Sequence, residues 1–138
     1  MNPEFELRCP ISADLELIRG LVRAHARRGG LRGERLDDLV LAVNEAVTNV
    51  LDHGDGVGMV IARSSTYAIA VDVVDPAGRL SAHHLAEAKV DPTSSHGFGL
   101  WVIQRLCDRV ELEQSDQGSR LRLHMRRSFP GNRPRPGP

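Results

Sequence analysis

The sequence predicts an α+β fold, a two-layer sandwich in which one mixed β-sheet is covered on one face by helices. Two patterns and their order carry this prediction. Short runs with apolar residues at every second position read as half-buried strands. Longer stretches with apolar residues three and four apart read as helices with a single apolar stripe. The order is strand, two helices, two strands, loop and helix, two strands. The short links between strands make hairpins, and single-striped helices need one face of a sheet to bury against.

Phe5, Leu7 and Cys9 alternate with charged residues, so 5–9 is the first strand, ended by Pro10. Ser12 is the expected N-cap of the first helix, and Asp14 and Glu16 sit where the positive end of the helix dipole favours acids. Leu15, Ile18, Leu21 and Val22 make its stripe, and Gly29-Gly30 stops it. The second helix spans about 34–52, with Leu36, Leu39, Val40, Val43, Val47 and Val50 on one stripe, and Gly54-Asp55-Gly56 breaks it. Strands follow at 57–63 and 66–74, the second with Tyr67, Ile69, Val71 and Val73 on one face, joined at Ser64-Ser65. Ser81 to Lys89 carries a short helical pattern, and 91–95 is loop. A third long helix runs from near Gly99 to about Asp108. Val110 and Leu112, then Leu121, Leu123 and Met125, mark two last strands around the SDQGS turn. This gives one domain over 1–127. The Pro, Gly and Arg tail at 128–138 is expected to be disordered.

Composition narrows the function classes. A formal net charge of zero gives no argument for nucleic acid as a partner, and the arginines from Arg126 to Arg135 have no interleaved aromatic beyond Phe129. No apolar run is long enough to span a bilayer, and Met-Asn-Pro-Glu is not the start of an export signal, so no membrane association and a cytoplasmic location are expected. Cys9 and Cys107 fall singly on apolar patterns and read as buried thiols, not as a disulfide or metal pair.

The chemistry concentrates in three places. On the second helix, Glu45 and Asn49 lie about 40° apart and nearly opposite the apolar stripe, so they project together from the outward face. A carboxylate takes a proton, and a carboxamide oxygen ligates a hard cation without adding charge. That pairing suits magnesium and a polyphosphate. Asp75-Pro76-Ala77-Gly78 closes a strand and reads by itself as a turn. Gly97-Phe98-Gly99-Leu100 opens a helix, where backbone N–H groups and the positive helix end face phosphate. It is no dinucleotide fingerprint, because Val102 stands where a third glycine is needed, and no Walker A sequence is present. His83, His84 and His96 lack partners at ligand spacing and read as solvated loop histidines.

These three elements, in this order and over roughly residues 5–126, resemble the histidine-kinase-like ATPase superfamily and within it the anti-sigma-factor serine kinases. The resemblance implies the Bergerat-type ATP-binding fold. It implies that Asn49 ligates the magnesium ion bridging the phosphates of ATP and that Glu45 is the general base toward a serine hydroxyl. His53 also matches the family pattern, although a histidine at a helix C-terminus has a plain electrostatic reason as well. Asp75 matches the acceptor of the adenine amino group, with Gly78 beside it. Gly97, Phe98, Gly99 and Leu100 match the second glycine box. Residues 79–96 would form the lid over the nucleotide. The first glycine box departs from the family: Ala77 and Arg79 stand where it has glycines. The implied function is an ATP-binding anti-sigma factor that sequesters an RNA polymerase sigma factor and phosphorylates a serine of an anti-anti-sigma protein, usually as a homodimer. The alternative is a non-catalytic binding module of the same fold with weak or no nucleotide binding.

Overall fold

In the computed structural model, which describes residues 6–78 and 97–127, five strands and three helices follow the expected order. They are β1 (Glu6–Pro10), α1 (Leu15–Arg28), α2 (Gly33–His53), β2 (Met59–Ser64), β3 (Ala68–Asp75), α3 (Gly97–Leu106), β4 (Arg109–Ser115) and β5 (Gly118–Arg126). The expected helical pattern at 81–89, the lid with His83, His84, His96 and Arg79, and the 128–138 tail lie outside the described residues.

The strands form one sheet in the order β1-β2-β3-β5-β4. The α+β two-layer class holds, but the sheet is not mixed: each of its four ladders is antiparallel. Two helices, an even number, link β1 to β2, so the chain re-enters the sheet at the end it left. The link through α3 does make β3 and β4 run in the same direction. They are not neighbours, because β5 is inserted between them.

Sequence chemistry explains the element ends. Asp14, not Ser12, caps α1: its side chain accepts from Leu17 N–H at 3.1 Å, while Ser12 Oγ accepts from Asp14 N–H. The β2–β3 turn sits later than Ser64-Ser65. Ser65 N–H donates to Ala68 C=O at 2.9 Å, and Tyr67 stands 76% exposed at the hairpin tip instead of on the strand face.

The expected stripe of α2 is buried throughout, joined by Ala42 and Ala46, and packs on Val71, Val73, Leu121 and Leu123 of the sheet. Each buried leucine or valine contributes about 1.5–3 kcal/mol. This burial fixes the rotation of α2 and hence where Glu45 and Asn49 point. Both cysteines are buried and free. Burial pushes the Cys107 thiol up to about 12, which excludes thiolate chemistry there.

His25, between α1 and β2, lies 3.5 Å from Ser64 Oγ, and burial, with the Arg28 charge adding, holds its imidazole below the ordinary histidine value. The unfolded chain therefore binds this proton more readily. The stability concerned is complete above about pH 6.5 and is lost as pH falls from there toward the folded value. Urea melts between pH 7 and 5 should fall off more steeply for the wild type than for His25→Leu. Parallel curves would remove His25 as the cause.

Candidate functional site

The C-terminal half of α2, the end of β3, the start of β5 and the first turn of α3 meet at one end of the sandwich. Glu45 and Asn49 are one turn apart on α2, as their spacing requires, but they do not face open solvent. The N-terminal turn of α3 packs over them and leaves both partly buried. A Cβ placed on Gly99 would lie 3.3 Å from Glu45 Oε1 and 3.5 Å from Asn49 Oδ1. Gly99 therefore keeps the space between the two helices open directly above the carboxylate and the carboxamide. Sequence periodicity locates the face opposite the core stripe. It does not reveal that a second helix covers that face.

Gly97 starts α3 and Phe98 follows in its first turn. Leu100 is fully buried in the core, so what it offers a phosphate is its backbone N–H. The first N–H groups of a helix have no intrahelical acceptor and suit an anion. His53 is the last residue of α2 and is half-buried.

Asp75 ends β3 with only 6% exposure. Its Oδ1 accepts from Ala77 N–H at 3.0 Å, and Gly78 N–H donates to Asp75 C=O at 3.0 Å, which closes the turn. The carboxylate is held by one oxygen and keeps lone pairs on the other for a further donor. Gly78 has φ +66° and packs on Gly118: its Cβ would stand 3.2 Å from Gly118 Cα. Gln114 Nε2 also donates to Gly78 C=O at 3.1 Å, so the β4–β5 hairpin carries this turn.

Three residues that the sequence marks only as parts of turns, and not as site residues, belong to the same place. Gly54 has no room for a side chain, because its Cβ would lie 3.1 Å from both Asp75 carboxylate oxygens. Gly118, at φ +112°, lets the hairpin pass the backbone of Asp75 and Pro76. Ser119 pairs with Asp75 across the β3–β5 ladder, is 3% exposed, and its Oγ has no hydrogen-bond partner among the described residues. Only the Gly in SDQGS could have hinted at Gly118. A lone serine opening a strand carries no sequence signal.

The second orphaned buried atom is Asn49 Nδ2. Buried polar groups are nearly always hydrogen-bonded. Two orphans, Asn49 beside the space under Gly99 and Ser119 beside Asp75, are groups that a polar ligand would satisfy. A carboxamide beside that space suits both a metal ion, through its oxygen, and a phosphate oxygen, through its N–H. Among the described residues no three His, Cys, Asp or Glu side chains cluster as a metal site of their own.

Comparison with known proteins identifies the family and the fold. The sequence profile of the histidine kinase-like ATPase domain matches residues 11–125. A search of curated proteins gives no match. Among solved structures, the chain is similar to the RsbU and RsbW domains of Rv1364c from Mycobacterium tuberculosis, with a TM-score of 0.63 and 17% identity over 91% of this chain. It spans 32% of that protein's length. It is also similar to the SiaB–SiaC complex from Pseudomonas aeruginosa, with a TM-score of 0.55 and 15% identity, covering 88% of this chain and 89% of the other. At such identities the likeness is one of fold. Among the described residues no helix is long and apolar enough to cross a membrane.

Proposed function

This chain belongs to the histidine kinase-like ATPase domain family, and on that premise we propose that it is an anti-sigma factor with serine kinase activity. It would bind ATP with magnesium, hold an RNA polymerase sigma factor inactive, and phosphorylate a serine of an anti-anti-sigma protein in the cytoplasm. The observation that carries the nucleotide reading is the placement of Glu45 and Asn49 under Gly99 at the α3 N-terminus, with orphaned polar atoms on Asn49 and on Ser119, the ladder partner of Asp75.

Each residue has a task set by its chemistry. Asp75 accepts from the adenine amino group, and the Ser119 hydroxyl beside it meets the same purine edge. Gly97–Leu100 present backbone N–H groups to phosphate. Asn49 ligates the ion. Magnesium ATP, when bound, supplies the γ-phosphoryl group and the charge that neutralises its phosphates. Glu45 lies next to Asn49 and takes or holds the proton of the serine hydroxyl. The sigma factor and the anti-anti-sigma partner rest on the family resemblance. The SiaB–SiaC likeness is consistent with a protein partner. A homodimer belongs to the same reading. Leu17 and Leu21, 52% and 37% exposed one turn apart on α1, offer it an apolar strip.

Titration calorimetry tests the nucleotide site. Wild-type protein should bind ATP more weakly than relatives with a full first glycine box, because a Cβ on Ala77 stands where backbone approaches the ligand. Asp75→Asn should cost about 1–3 kcal/mol, since it presents a donor to a donor. Asn49→Ala should remove most of the dependence on magnesium, and Asn49→Asp should also bind poorly because it adds charge beside the phosphates. No binding at millimolar magnesium ATP would leave the non-catalytic binding module. Equal binding with the metal removed would withdraw Asn49 as its ligand.

A further inference from the structure

We propose that the open face of the sheet, the one not covered by helices, is a docking surface for an acidic segment of a protein partner. This goes beyond the nucleotide reading and does not depend on it.

The centre of that face is Asp72 on β3. It is 1% exposed although it points away from the helices. Taking a carboxylate out of water costs several kcal/mol unless it is paired and fully hydrogen-bonded. Three arginines converge on it. Arg122, its cross-strand partner, binds bidentately, Nε to Oδ1 at 2.6 Å and Nη2 to Oδ2 at 2.9 Å. Arg120 Nη1 lies 3.4 Å from Oδ2 and Arg63 Nη1 3.8 Å from it. The stems of such side chains cover apolar surface, and Ile61, paired with Asp72 on the neighbouring strand, is only 5% exposed on this face.

One buried carboxylate shared by three guanidinium groups leaves a positive excess. The side chains of Arg63, Arg120 and Arg122 remain 41%, 40% and 35% exposed. A guanidinium has five N–H donors, and Asp72 uses at most two from any one of them. An incoming carboxylate would meet Arg122, already held by two hydrogen bonds, with Arg120 and Arg63 drawn close by the same carboxylate, which lowers the entropic cost of binding. Arginines fixed over a partly apolar floor are typical anchors of protein interfaces.

The surroundings define the partner. Arg8 is also on this face, while Glu6 spans Arg8 at 2.8 Å and Arg63 at 3.4 Å. Toward the other edge, Glu111 pairs with Arg109 and His124, and Glu113 lies opposite Arg120. Acids therefore frame the arginines on both sides. A continuous phosphodiester chain would run over them. A short segment with two or three carboxylates would not. Two copies of this face would set one arginine cluster against the other.

The test uses a twelve-residue glutamate-rich peptide, observed through the arginine Nε–Hε NMR signals of the whole protein. The expected result is shifts at Arg63, Arg120 and Arg122 that weaken as salt is raised. The Arg63→Gln/Arg120→Gln variant keeps the Arg122–Asp72 pair, and hence the fold, and should lose at least about tenfold in affinity, the effect of removing one or two charged contacts. Any of four results would overturn the proposal: no shifts at millimolar peptide, shifts only at arginines off this face, unchanged affinity in the variant, or tighter binding of a twelve-nucleotide single strand. Shifts that grow with protein concentration alone would assign the face to self-association instead.

Discussion

Removing the Glu45 carboxylate should reduce phosphoryl transfer to a serine substrate by about 10²–10⁴-fold while ATP affinity stays near the wild-type value. The expectation follows from position. Glu45 Oε1 borders the space kept open by Gly99, one turn from Asn49, and the α2 face behind it is held by Leu39, Val43, Val47 and Val50. Glu45→Ala removes no core contact, so the thermal melt should not move appreciably. Glu45→Gln is the sharper variant because it keeps shape and loses only basicity. Single-turnover transfer and calorimetric affinity, measured on the same preparations, separate the roles. A loss shared equally between binding and transfer would make Glu45 a nucleotide-binding group and not a base.

Gly118→Ala should be among the most destabilising single substitutions in the chain, by about 3 kcal/mol or more. The new Cβ would fall 2.2 Å from Asp75 O, 2.6 Å from Pro76 Cα and 2.9 Å from Pro76 C, all backbone atoms that cannot rotate away. The residue also sits at φ +112°, where a side chain is strained regardless of space. Gly56→Ala is the matched control. Its φ of +73° is likewise left-handed, but a Cβ there meets nothing within 4 Å, so it should cost only the conformational term of about 1–2 kcal/mol. Because Gly118 abuts the turn that holds Asp75, whatever Gly118→Ala protein remains folded should also bind ATP less tightly. Similar melting temperatures for the two variants would show that the hairpin yields and that Gly118 does not position Asp75.

Most of the fold was legible because its signals are local. The stripe on α2, the alternation on β3 and β5, and the glycines before α3 each depend on neighbours within a turn or a strand. What misled is equally specific. Ser12 is as good a capping residue as Asp14, and choosing between them requires knowing where the first helical N–H groups point. Tyr67 continues the alternation of β3, yet the hairpin turns there and exposes it. The sheet was expected to be mixed because strand order cannot be read from strand count. The insertion of β5 between β3 and β4 is a matter of packing.

Local patterns along the chain specify the element order, the buried face of α2 and therefore the direction of Glu45 and Asn49, and the residue types of the candidate site. Helical and strand periodicities are properties of the chain, and they set which side of each element is apolar. Only the tertiary structure decided that α3 closes over Glu45 and Asn49, that Gly54, Gly118 and Ser119 surround Asp75, and that Asp72 is buried among three arginines on the open face. Apart from Arg63, a near neighbour of Asp72 in the hairpin, those contacts join residues far apart in the chain. They arise when separate elements bury their stripes against one sheet, so no local pattern encodes them.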